Sequence, residues 1–188
     1  MKKAQLCILL MLMPVTVFAH HNGVESAGFM AGVLHPFSGL DHLLAMGAVG
    51  LWASQIGQKA VWALPSSFVA MMVAGVVIAM AGVSMPYVET GILLSVLVLG
   101  GLVTTALTLP TFFSMLIVGS FALFHGYAHG TEVSVVSMAY IAGFVVSTAV
   151  LHATGTITGL FLHQLNSEKI ARFVGGLITL AGMYLVFA

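Results

Sequence analysis

From Ala4 onward the chain is a succession of long apolar runs separated by very short polar punctuation. A membrane-crossing helix needs about 20 mainly apolar residues. By that measure the pattern predicts spans near 26–54, 61–82, 87–108, 111–129, 134–161 and 170–187. The first and fifth are longer than a crossing requires, which suggests tilted, broken or partly interfacial segments. Pro36, Pro65, Pro86 and Pro110 fall near starts or breaks, where a missing backbone donor costs least. Glycines recur at four-residue spacing in Gly28/Gly32, Gly126/Gly130 and Gly155/Gly159. Small residues at that spacing let transmembrane helices approach closely, and here they favour a compact bundle over a dimer.

The first twenty residues follow a different pattern. Met1-Lys2-Lys3 precedes a short apolar run to Phe18, then Ala19, then the abrupt polar His20-His21-Asn22. This is the layout of a secretory signal, with Val17 and Ala19 in the −3 and −1 places. The expected organisation is therefore a signal peptide over 1–19 and a single transmembrane domain over 20–188. The fold class is an all-α integral membrane protein, a compact bundle of about six transmembrane helices. Cys7 lies inside the signal, so the mature chain is expected to hold neither disulfides nor thiolate ligands.

Composition sharpens the picture by exclusion. Apolar residues make up 60% of the chain and charged residues 5%, against about a quarter charged in an ordinary soluble domain. Five bases are too few for the basic surface that phosphate binding needs, so nucleic acid is not an expected partner and the lipid bilayer is. Removing Lys2 and Lys3 leaves three bases against five acids. With the mature N-terminus outside, Lys59, Lys169 and Arg172 all fall at cytoplasmic ends, obeying the positive-inside bias. Glu25, Glu89 and Glu132 then fall at outer ends, with Glu168 the exception. A bacterial inner membrane with both termini outside the cytoplasm is the resulting expectation.

Against that background the ionisable residues inside spans stand out, since each costs about 2.5–3.5 kcal/mol on insertion scales. The first span contains His35-Pro36-Phe37-Ser38-Gly39-Leu40-Asp41-His42. His35 and His42 would share a face of a continuous helix, with Met46 one turn further. The Pro36 and Gly39 pair invites a local break, tolerated where backbone lines a cavity. The fourth span ends Phe124-His125-Gly126-Tyr127-Ala128-His129-Gly130-Thr131-Glu132. Its His125, His129 and Glu132 form one stripe at i, i+4 and i+7. Glu89 lies at similar depth on the third span. Four imidazoles and up to three carboxylates thus converge from three spans on the outer side. Such a set suits a borderline divalent first-row ion better than magnesium, calcium or copper(I). The candidate metal ligands are His35, Asp41, His42, Glu89, His125, His129 and Glu132.

Other readings attach to individual residues. His152 has no acidic companion in its span and reads equally as a packing hydrogen bond. His163 is expected to be solvated at a cytoplasmic end. His20 and His21 read equally as a metal-capturing entrance and a solvated terminus. The methionines read as packing rather than a ligand path. Paired histidines also admit a haem-binding protein, although no Lys or Arg is available outside for its propionates. A structural membrane assembly protein stays open, as does an intramembrane metallohydrolase built on Asp41 and His42. No nucleophile-elbow pattern supports the last of these.

At these two motifs the chain resembles the HupE/UreJ family, hydrogenase- and urease-accessory membrane proteins regarded as nickel or cobalt permeases. His35-Pro-x-x-Gly39-x-Asp41-His42 with Leu43-Leu44-Ala45-Met46 matches the family's first-span signature. Phe124-His125-Gly126-x-Ala128-His129-Gly130-x-Glu132 matches its fourth-span signature. The resemblance extends over essentially the whole chain. It implies that His35, Asp41, His42, His129 and Glu132 take part in metal handling, and it extends to Glu89. The function it implies is a secondary permease importing Ni²⁺ (or Co²⁺) for hydrogenase or urease maturation. No enzymatic activity and no permanently bound cofactor are expected, because the ion is cargo. Nothing resembles a phosphate-binding loop, so no ATP hydrolysis by this chain is expected. Nickel against cobalt, proton coupling, and whether the chain is a homo-oligomer stay open at this point.

Overall fold

The computed structural model of the chain describes residues 28–132 and 136–187. The expected signal, His20, His21 and Glu25 lie outside the described residues. Within them the chain is all helix: α1 (Phe29–Ser38), α2 (Leu40–Ile56), α3 (Ala60–Met80), α4 (Val88–Thr105), α5 (Thr111–Thr131), α6 (Met138–Gln164) and α7 (Glu168–Phe187). Helices α3 to α7 are each long and apolar enough to cross a membrane, which makes this a multi-pass membrane protein. Only helices and closed barrels satisfy every backbone group internally within lipid, which is why apolar runs of this length become helices.

The first apolar run is interrupted. Pro36 lies inside α1, and Gly39 then adopts an extended conformation (φ −108°, ψ 122°) that separates α1 from α2. A proline removes one backbone donor and a glycine resists helix, so the two together end α1 within a turn of His35. Helix α2 continues for 17 residues, about 26 Å at 1.5 Å per residue. It is the central element of the bundle. Ala45, Met46, Ala48, Val49, Leu51, Trp52 and Ala53 are all buried, so α2 is covered on every side.

Around α2 the helices associate in three close pairs: α1 and α2 against α6, α3 against α5, and α4 against α7. Glycines from both partners line each contact. Gly50 abuts the His152 carbonyl and Gly155 the Gly47 carbonyl, while Gly75 and Gly126 face the Leu123 and Met72 carbonyls. Gly100 and Gly175 bring α4 and α7 together in the same way. Lipid offers no hydrophobic drive between helices, so association rests on such backbone-to-backbone van der Waals contact. Of the four-residue glycine pairs seen in the sequence, both members of Gly126/Gly130 and Gly155/Gly159 touch a neighbouring helix, whereas nothing lies against Gly28.

Helix α4 stops at Ala106, a left-handed residue (φ 52°), slightly before the expected end near 108. Its last carbonyls are taken by side chains of other helices. Gln55 Nε2 donates to the Val103 oxygen (3.0 Å), Arg172 Nε to Thr104 (2.9 Å) and Trp52 Nε1 to Leu107 (2.8 Å). Two of the orphan acceptors of the helix terminus, on Val103 and Thr104, are thereby satisfied, and side chains of α2 and α7 hold this end of α4. His163 is near this end, on the last turn of α6. It is solvated, as expected, with its side chain 75% exposed, and its Nδ1 also lies 3.0 Å from Glu168 Oε1 across the turn.

Candidate metal centre

The opposite end of the bundle holds the candidate ligands. The break at Gly39 lets α1 and α2 present separate side chains to one region: His35 from the last turn of α1, and Asp41 and His42 from the first turn of α2. Gly39 leaves the room this needs. A Cβ there would lie 2.5 Å from Asp41 Oδ1 and 3.1 Å from His42 Nδ1. The face-sharing argument for His35 and His42 on a continuous helix therefore does not apply. The break nonetheless brings their ring centroids to 6.2 Å.

Helix α5 stays regular through Gly126 and Gly130 to Thr131, so His125 and His129 project from successive turns of one face. The four imidazoles form a continuous series. His35 to His129 is 4.7 Å between centroids, His129 to His42 is 5.0 Å, and His42 to His125 is 4.7 Å. Glu132 closes the outer end, its Oε2 2.7 Å from His35 Nε2. Ligand atoms of His35, His129 and Glu132 lie within 4.8 Å of one another. Bonds of roughly 2.1 Å to a common ion put ligand atoms about 3–4 Å apart, so small side-chain shifts turn this group into a coordination set.

The hydrogen bonds fix which nitrogens are free. Asp41 Oδ1 accepts from the His42 backbone N–H (2.7 Å) and lies 2.8 Å from its Nδ1. A carboxylate can only accept, so His42 carries its proton on Nδ1 and its lone pair on Nε2. For His125 the partner is Ser95 on α4, whose Oγ lies 2.9 Å from Nε2. The Ser95 hydroxyl already donates to the Ile92 carbonyl (2.6 Å), so His125 Nε2–H donates and the lone pair sits on Nδ1. Both lone-pair atoms, His42 Nε2 and His125 Nδ1, are buried without a protein partner, as are both nitrogens of His129. His42 and His125 are thereby each held in a tautomer that leaves one ring nitrogen free to bind a metal, whereas no hydrogen bond among the described residues sets the tautomer of His129.

Burial is graded along the series. Glu132 is 49% exposed and His35 23%, Asp41 is part-buried, and His129 and His125 are fully buried. A cavity of about 410 Å³ adjoins the series and is lined by Asp41, His42, Glu89 and Glu132 among others. The three carboxylates and His42 line the cavity, and His35, His125 and His129 join it through their ring contacts with His42.

Four further residues shape the site without having been singled out. Ser95 sets the His125 tautomer. Phe144 stacks on His129 (4.7 Å, interplanar angle 6°), and Tyr140 lies edge-on to His35 (5.9 Å). Phe68 on α3 touches His125 (5.6 Å). Serine and aromatic residues are ordinary in apolar spans, so only their three-dimensional neighbours distinguish these four.

Comparison with known proteins adds an independent line. The family model described as HupE / UreJ protein matches residues 8–185. Protein HupE of Rhizobium leguminosarum bv. viciae is 43% identical over 189 residues, covering 99% of this chain and 99% of that protein. No solved structure matches.

Proposed function

The chain belongs to the HupE/UreJ family, and on that footing we propose that it is a secondary permease importing a divalent first-row transition metal, Ni²⁺ or Co²⁺. The observation that carries this reading is the series of four imidazoles, three of them (His42, His125 and His129) with buried, unpartnered ring nitrogens, beside a carboxylate-lined cavity. Glu89 and Glu132 attract the hydrated cation at the mouth. His35, His129 and Glu132 replace part of its water. His42 and His125, held by Asp41 and Ser95, draw it further into the bundle. Neutral imidazoles and a few carboxylates release an ion more readily than thiolates do, and conduction requires release.

In this reading the mouth faces outward from a bacterial inner membrane, and Lys59, Lys169 and Arg172 lie on the cytoplasmic side. The α1–α2 pair then serves as the sixth, broken crossing. A divalent cation entering a negative-inside cell gains about 4.6 kcal/mol per 100 mV, twice the single-charge value, so the membrane potential suffices as driving force. The imported ion supplies hydrogenase or urease maturation, the role associated with the family. The haem alternative is disfavoured by the ring contacts. A porphyrin between two axial imidazoles needs more separation than 4.7 Å between His42 and His125.

The test is ⁶³Ni²⁺ accumulation at submicromolar nickel in cells lacking their own nickel transporters. The wild type should accumulate nickel, and His42→Ala and His129→Ala should reduce accumulation to the empty-strain level at matched membrane abundance. Wild-type accumulation no greater than the empty strain would overturn the nickel reading.

A further inference from the structure

We propose that His152 is a second, deeper ligand for the permeating divalent cation, one that receives the ion after the mouth cluster; this rests on the permease reading above. His152 projects from the middle of α6 and is 1% exposed, and neither ring nitrogen has a hydrogen-bond partner among the described residues. The packing hydrogen bond that would account for a histidine here is therefore missing. An imidazole left unpartnered in an apolar interior weakens a fold, and a leucine of similar size would fill the same space without that penalty. A free lone pair in that position makes sense as a ligand that is needed only while an ion is present.

Its place in the bundle fits that use. The Phe68 ring centroid lies 5.6 Å from that of His125 and 4.9 Å from that of His152. The series from His35 through His129, His42 and His125 thus reaches His152 by ring-to-ring steps no longer than 5.6 Å. The His152 carbonyl packs against Gly50 of α2. Gly50 is eight residues beyond His42, about 12 Å further along the helix axis toward the end that carries Lys59. Among the described ring contacts His152 meets the mouth series through Phe68 rather than directly, which makes it a separate station beyond His125. The same stretch of α6 offers weak donors. Ser147 Oγ is buried without a partner, and Thr148, one turn from His152, contacts Met72 Sδ (3.7 Å). One imidazole with hydroxyl oxygens nearby binds a borderline divalent ion weakly, as a transit point should. The close glycine contacts between α2 and α6 hold its backbone in place, so capture and release fall to the side chain.

Three measurements on wild type and His152→Leu test this: ⁶³Ni²⁺ accumulation in transporter-deficient cells, Ni²⁺ binding to the purified chain by equilibrium dialysis, and thermal unfolding. The expected result is uptake reduced tenfold or more, a mouth-cluster Kd within twofold of wild type, and a Tm no lower than wild type. Uptake reduced by less than tenfold overturns the proposal. So does a joint fall in Tm, binding and uptake, which identifies a structural histidine. If wild type itself neither binds nor accumulates nickel, the permease reading fails and this proposal falls with it. A wild type that accumulates nickel alongside an unimpaired variant removes His152 alone.

Discussion

Replacing Asp41 by Asn preserves the shape of the side chain and removes its charge. In the wild type Asp41 Oδ1 engages both the backbone N–H and Nδ1 of His42, at 2.7 and 2.8 Å. A hydrogen bond to a charged acceptor contributes about 1.5–3 kcal/mol and a neutral one about 0.5–1.5. The difference of roughly 1–1.5 kcal/mol corresponds to about a five- to tenfold change in any equilibrium that depends on the His42 tautomer. Losing the carboxylate also lowers the basicity of Nε2, and changes of this outer-shell kind commonly weaken metal affinity about 10–100-fold. The expected outcome is therefore Ni²⁺ binding to purified Asp41→Asn weakened about 10- to 100-fold, with the Tm close to wild type. Titration with Co²⁺ separates two roles. If Asp41 only positions His42, the visible absorption bands of bound Co²⁺ keep their energies and require more metal to appear. If Asp41 is itself a ligand, the bands shift. Binding within twofold of wild type would refute the argument that Asp41 sets the His42 lone pair.

The same logic yields further expectations. Ser95→Ala removes the acceptor for His125 Nε2–H and should weaken Ni²⁺ binding about tenfold; dialysis showing no change would mean that His125 takes no part. Gly126→Ala places a methyl group against the Met72 carbonyl between α3 and α5, an overpacking expected to cost about 1–3 kcal/mol. A clear fall in Tm should follow, whereas Gly176→Ala, with open space around it, should leave Tm unchanged or higher. Protons compete with the cation for imidazole lone pairs. Uptake should therefore decline severalfold between pH 7.5 and pH 5, and equal uptake at the two values would count against histidine ligands.

Much of this was legible in the chain because a bilayer leaves few choices. Long uncharged runs had to become helices, and His, Asp and Glu within them had to find a cavity or one another. Pro36 and Gly39 marked the first span as breakable, and the structure breaks it at Gly39. The spacing of His125, His129 and Glu132 placed them on one stripe of α5, and the helix runs to Thr131. What the sequence did not carry was the identity of neighbours. The pairing of α3 with α5 and of α4 with α7 depends on which glycine faces which carbonyl, a relation that no single chain segment records. Ser95 and Phe68 look like ordinary span residues until α4 and α3 bring them to His125. His163 is solvated as expected, and its pairing with Glu168 follows from the turn after α6, which reverses the chain between them.

The central claim is that the histidine series conducts a divalent cation across the membrane, and purified protein in sealed liposomes tests it most directly. With an inside-negative potassium diffusion potential and external ⁶³Ni²⁺, wild-type vesicles should accumulate nickel well above protein-free vesicles. His129→Ala vesicles should match the protein-free control. Folded wild-type protein that binds Ni²⁺ yet gives no potential-driven accumulation would contradict the account and leave a metal-binding membrane protein that does not transport.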